Sequence, residues 1–294
     1  MRESVEFTDS TGTTLPVYRW APESDPRAVV MIVHGMGEHV LRYDHVAAAL
    51  TAAGVAVYGY DQRGHGAGIG EGVPGEIGEA GWSALVDDIA EVARWIRQRE
   101  PGLPIGVFAH SMGSFATQQV LPAHSDAFDA VALSGTAAID ILEPALDLDA
   151  PLDLAVFNAP FEPRTGFEWL SRDDAAVDAY VADPLCGFGL DGEASRAMFI
   201  GARPLADPAE LARIRPDLPL YIAVGDQDPV NGGLALFTPL VDRLRDAGVA
   251  DVTTHVYSGA RHEIVNETNR AEVIGDLVEW LCDRLIGSPE GSAD

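Results

Sequence analysis

The chain of 294 residues is 47% hydrophobic and 22% charged, enough apolar material for a large core and too much for disorder anywhere but the tail. Its 46 acidic residues outweigh 19 basic ones, all of them arginine, for a formal charge of −27. That balance disfavours a nucleic-acid partner or attraction to anionic lipid; it speaks to solubility, with high-salt adaptation a subsidiary reading, and not to fold.

The opening MRESVEFTDSTG lacks the apolar centre of a signal peptide, and no apolar run approaches the ~18 residues of a membrane span. A cytoplasmic protein without a transmembrane segment is expected. Short runs rich in Val, Ile and aromatic residues follow: TLPVYRW, AVVMIVH, VAVYGYD, PIGVFAH, DAVALSG, PLYIAVG and VTTHVY. From the second onward they read as buried parallel strands. Between them lie helical segments: RYDHVAAALTAAG, then GWSALVDDIAEVARWIRQRE ending before Pro101, then SFATQQVLPA, FTPLVDRLRDAG and NRAEVIGDLVEWLCDRLIG. Strands alternating with helices imply an α/β fold on a mostly parallel, doubly wound sheet.

The alternation breaks between Ile139 and Pro216, a stretch too long for a structureless connector. It is expected to be a helical lid, residues 139–216, inserted between core segments 1–138 and 217–288, with a flexible tail at 289–294. Its large apolar residues Leu142, Leu146, Leu152, Leu154, Phe157, Phe161, Phe167, Trp169 and Leu170 either face the sheet edge or pack a small core of the lid itself. Cys186 and Cys282 lie far apart and read as free thiols, and no zinc pattern is present.

In open α/β sheets ligands bind beyond the carboxyl ends of strands. The residues there are His34-Gly35-Met36-Gly37, His110-Ser111-Met112-Gly113, Gly225-Asp226-Gln227-Asp228-Pro229 and Ser258-Gly259-Ala260-Arg261-His262. Ser111 at a strand-to-helix junction is either a helix N-cap or a nucleophile on a tight turn. A serine hydroxyl needs an imidazole to take its proton, and the imidazole needs a carboxylate to fix its tautomer. The order Ser, Asp, His then points to Ser111, Asp228 and His262, since His255 falls inside a strand. Asp226 is the alternative acid; Asp228 lies further past the strand and is held extended by Pro229. The N–H groups of Met36 and Met112 are the expected oxyanion donors, with Gly35 and Gly37 allowing close approach to substrate. No metal or organic cofactor is needed. His34 and His110 are expected to hold loops, while His39, His45, His65 and His124 read as surface or helix residues rather than ligands.

Together HGMGEHVLRYDHVAAAL, YDQRGHGAG, AHSMGS, GDQDPV and HEIVNE resemble the monoacylglycerol lipase and lysophospholipase branch of the α/β-hydrolases, from about residue 4 to residue 286. The nucleophile motif departs from Gly-x-Ser-x-Gly by Ala109, and Gly68 stands near the place of a common serine. The resemblance implies a serine hydrolase of carboxylic esters with an apolar acyl part, such as monoacylglycerols or lysophospholipids. Lactones, small amides or mere ligand binding are the rivals; a homodimer is compatible. It also implies that Glu38 and Arg42 shape the polar end of the site, against the reading of a surface pair, and that Arg63 and His65 are loop scaffolding.

Overall fold

The structure, a computed structural model, describes residues 2–145, 148 and 154–287. Leu146, Leu152 and the tail 289–294 lie outside the described residues. An eight-stranded sheet runs in the order β1-β2-β4-β3-β5-β6-β7-β8. Its strands are β1 Arg2–Thr8, β2 Thr14–Trp20, β3 Ala28–Val33, β4 Val55–Tyr60, β5 Ile105–His110, β6 Ala130–Ser134, β7 Leu220–Gly225 and β8 Val252–Tyr257. The β1–β2 and β2–β4 pairs are antiparallel, and the remaining pairs are parallel.

Strands β3 to β7 are buried at every residue, as an apolar run covered on both faces requires. Alternate β3 side chains serve opposite layers. Val29, Met31 and Val33 pack with α2 Gly81–Arg99, α3 Met112–His124 and α8 Phe237–Asp246; Ala28, Val30 and Ile32 pack with α1 Asp44–Ala52 and α9 Arg270–Leu285. The sheet is therefore doubly wound.

Two edges differ from the sequence reading. The strand β1 escapes that reading because only Val5 and Phe7 of RESVEFT turn toward the core, while Arg2, Glu3 and Glu6 stay exposed, a common protection for an edge strand. At the other edge β8 is only partly buried rather than fully covered.

Between β6 and β7 the chain makes a long excursion holding α4 Ile139–Leu142, α5 Asp174–Ala182, α6 Gly192–Ala202 and α7 Pro208–Leu211, with single 3-10 turns and no strand among its described residues. Helix α6 packs on α2 and α3. No helix among the described residues is long and apolar enough to cross a membrane.

Candidate active site

The parallel strands deliver four loops to one sheet edge, and Ser111 stands immediately beyond β5. Its backbone lies at φ 50° and ψ −122°, and only Leu234 among the other described non-glycine residues has a positive φ. A side chain in this region is strained by about 1–3 kcal/mol and persists only where its surroundings impose it. Here Ser111 N–H donates to the Ser134 carbonyl of β6 at 3.0 Å, and Phe115 N–H returns to the Ser111 carbonyl at 2.9 Å. The hydroxyl makes no cap hydrogen bond to α3. Small residues at the turn are needed for a steric reason: a Cβ at Gly113 would collide with the Val33 and His34 carbonyls.

Ser111 Oγ lies 2.8 Å from His262 Nε2, and His262 Nδ1 lies 2.9 Å from Asp228 Oδ2. A carboxylate can only accept, so Nδ1 carries the proton and Nε2 offers its lone pair to the serine. Asp228 is fully buried; its other oxygen accepts the Val230 N–H at 2.8 Å, fixing the carboxylate plane. Asp226 instead accepts the Gly259 N–H at 2.7 Å and holds the turn after β8. Burial disfavours a charged His262, but the Asp228 carboxylate outweighs it, assisted by their hydrogen bond and by Glu263 and Glu38, and raises the imidazole pKa above its ordinary value.

Gly35 and Met36 line the same cavity as Ser111 and Met112. Met112 opens α3, where the first N–H groups have no partner within the helix. Gly35 has no room for a side chain, a Cβ there lying 2.8 Å from Glu38 Oε1 and 3.1 Å from Ser111 Cβ. Glu38 accepts the Gly35 N–H at 2.6 Å and the Tyr43 hydroxyl at 2.7 Å, and it pairs with Arg42 at 2.6 Å. Arg42 also forms two hydrogen bonds to Glu263, at 2.6 and 2.7 Å. The Glu38–Arg42 pair is thus buried beside the site rather than at the surface. Burial would push the Glu263 carboxyl up, but Arg42 prevails and holds it at about 2.

The remaining histidines divide. His34 accepts the Gln62 N–H at 3.0 Å and His110 meets the Ser134 hydroxyl at 2.9 Å; burial lowers their pKa values to about 4 and about 3, so both are neutral loop supports. His45 and His124 are helical, and His255 lies in β8. His65 is not a surface residue but a loop support: it is fully buried, its Nδ1 lies 2.8 Å from the Arg63 carbonyl, its ring is tilted against Phe188, and desolvation lowers its pKa to about 3. His39 is likewise buried, paired with Asp183 at 2.9 Å. Sequence cannot separate these from exposed histidines, because the covering residues Asp183 and Phe188 lie far along the chain.

Above Ser111 lies a largely apolar cavity; the space around it, open mouth included, is about 590 Å³. Leu142, Leu154, Phe157, Trp169 and Leu170 line it, joined by Phe115, Met198 and Phe199, which carry no sequence signal marking them as site residues. Phe161 instead lies under the Arg261 guanidinium and Phe167 packs on Tyr180.

Sequence reasoning also misses Glu263 and Tyr180. Glu263 adjoins His262 within HEIVNE, so proximity is its only signal. Tyr180 donates its hydroxyl to the Gly37 carbonyl at 2.9 Å and lies under Arg42. Glu267, the last residue of that motif, is fully buried and accepts the N–H groups of Arg261 at 2.9 Å and Arg172 at 3.1 Å, binding the His262 loop to the excursion.

The sequence matches the family described as serine aminopeptidase, S33, over residues 24–269. It is 32% identical over 291 residues to a monoacylglycerol lipase of Mycolicibacterium smegmatis, spanning 97% of this chain and 98% of that one. To the monoglyceride lipase of Mus musculus it is 27% identical over 282 residues, 92% of this chain and 88% of that one. A highly thermostable carboxyl esterase from Bacillus coagulans, solved with glycerol, shares the fold with a TM-score of 0.85 at 24% identity, over 97% of this chain and 99% of that one. The chain belongs to the serine aminopeptidase S33 family of α/β-hydrolases, in the branch resembling monoacylglycerol lipases.

Proposed function

We propose that this protein is a serine hydrolase of neutral carboxylic monoesters, of the monoacylglycerol type, working through an acyl-enzyme on Ser111. The observation that carries the reading is the hydrogen-bonded series Ser111–His262–Asp228 beneath a largely apolar cavity. Ser111 Oγ attacks the ester carbonyl carbon as His262 Nε2 takes its proton, and Asp228 stabilises the imidazolium. The N–H groups of Met36 and Met112 meet the oxyanion. His262 then returns the proton to the departing alcohol oxygen. Water, deprotonated by the same imidazole, releases the acid and frees Ser111.

In this reading residues 139–216 are a lid, and their apolar side chains over Ser111 receive the acyl group. The family description raises aminopeptide hydrolysis as a rival. An aminopeptidase needs a carboxylate to receive the substrate ammonium, yet Glu38 and Glu263 are already engaged by Arg42, Tyr43 and the Gly35 N–H. That favours the neutral ester. The acidic surface disfavours anionic head groups, most visibly at low salt.

A chain-length series of neutral monoesters, run beside aminoacyl arylamides, tests the proposal. Each methylene should improve kcat/KM by up to about 0.8 kcal/mol until the cavity is filled. Hydrolysis confined to acetate, or faster cleavage of the arylamide, would overturn it.

A further inference from the structure

We propose that His39, Asp183 and Cys186 bind one transition-metal dication of the zinc class, bridging the turn after α5 to the loop carrying Gly35, Met36 and Gly37. One donor atom from each residue lies within 4.8 Å of the others. The His39 Nε2 to Asp183 Oδ2 distance is already 2.9 Å. An imidazole nitrogen, a carboxylate oxygen and a thiolate sulfur suit Zn²⁺, with water as fourth ligand, and do not suit hard cations that seek an oxygen cage.

The donors are held in place before any ion arrives. Cys186 N–H donates to the Asp183 carbonyl at 3.1 Å, so a single turn presents both side chains. Asp183 Oδ1 accepts the Leu185 N–H at 2.9 Å, leaving Oδ2 toward His39; such outer hydrogen bonds orient metal ligands. Gly187 N–H donates to the Gly37 carbonyl at 3.0 Å, and a Cβ at Gly37 would collide with Phe188, so turn and loop are in direct contact. His39 is itself buried.

Charge agrees. Asp183 and a deprotonated Cys186 would neutralise the dication, and the neighbouring Arg42 is outnumbered by its partners Glu38 and Glu263. On binding, the thiol proton leaves to solvent, His39 gives up its Nε2 proton so that the ring carries its one proton on Nδ1, and the Nε2–H···Asp183 hydrogen bond is exchanged for two metal–ligand bonds. His39 and Asp183 are 144 residues apart, which hides the trio from any motif search.

The proposal is independent of the hydrolytic reading, and binding tests it. The chelator-stripped full chain is titrated with Zn²⁺ against a chromophoric chelator. One tight site per chain is expected, weakened at least about tenfold by Cys186→Ser and by His39→Asn, and unaffected by Cys282→Ser or excess Mg²⁺. Zn²⁺ should raise the Tm of wild type but not of Cys186→Ser, because an ion that binds only the folded chain stabilises it. Co²⁺ should give a thiolate-to-metal charge-transfer band that Cys186→Ser lacks. Should Cys186→Ser misfold, loss of the band in Asp183→Asn or His39→Asn establishes the site in its place. Wild-type affinity in these variants, displacement by Mg²⁺, or no thiolate band would show only cations gathering on an acidic surface, and would overturn the site.

Discussion

The indole of Trp169 lies over the imidazole of His262, ring centroids 4.9 Å apart at 41°, and the Trp169 carbonyl accepts the His262 N–H at 3.3 Å. Beside it, Glu263 N–H donates to the Leu170 carbonyl at 2.8 Å, and Arg261 Nη1 donates to the Glu168 and Ser171 carbonyls at 2.6 and 3.0 Å. The base is thus held from the excursion as well as from the sheet. An aromatic face beside a forming imidazolium contributes about 0.5–2 kcal/mol. Trp169→Ala should lower kcat by about 2- to 30-fold on that account. Trp169→Phe should lose less. The check is fluorophosphonate labelling rate beside thermal unfolding; equal labelling in wild type and Trp169→Ala would remove Trp169 from the chemistry.

Ser111→Ala and Ser111→Gly should both lose on the order of 10⁴ to 10⁶ in turnover. They should differ in stability. Glycine tolerates φ 50° without a Cβ penalty, so Ser111→Gly should be more stable than Ser111→Ala by about 1 kcal/mol, as denaturant midpoints would show. Retention of a tenth of the activity in either variant would exclude Ser111 as nucleophile.

Asp228→Asn should lower kcat by about 10⁴, because the amide can donate to Nδ1 and favours the wrong tautomer. Asp226→Asn weakens the acceptor for the Gly259 N–H and the exposed Gln227 amide, neither of them in the Ser111–His262 series, and should cost less than tenfold, on the scale of about 1 kcal/mol for a hydrogen bond. Parallel kinetics on the two variants decide the matter, and the reverse ranking would transfer the role to Asp226.

The raised pKa of His262 sets the acid limb of the pH profile above the ordinary 6.5. Protonated imidazole cannot accept the serine proton, so kcat/KM should fall as pH drops through that raised value. Stability runs the other way. The folded state favours the charged ring, so the His262–Asp228 contribution is complete below 6.5 and is lost as pH rises through the folded pKa. Rate and unfolding profiles measured in the same buffers should therefore cross. A kcat/KM midpoint at or below 6.5 would contradict the assignment of His262 as base.

Much of the fold is legible in the sequence because burial writes itself locally. The runs AVVMIV, VAVYGY, IGVFAH, AVALS and LYIAVG are apolar at nearly every position, as strands covered on both faces must be. A parallel sheet brings strand ends to one edge, so Ser111, His262 and an acid from the loop after β7 can be brought together from chain order alone. The strand β1 stays hidden because a charged edge strand resembles a loop.

Chain order narrows the acid to Asp226 or Asp228; which of them meets the imidazole depends on how the loop after β7 turns, and only the tertiary structure shows it. The same holds for Glu38 and Arg42, whose spacing on a first helical turn fits a surface pair equally well. Their burial follows from Glu263 and Tyr180, brought in from two distant segments, with the adjoining Tyr43 as a local partner. Local sequence specifies backbone habit and which faces avoid water; partners of buried charged and aromatic groups come from distant residues, so they exist only once the chain has closed on itself.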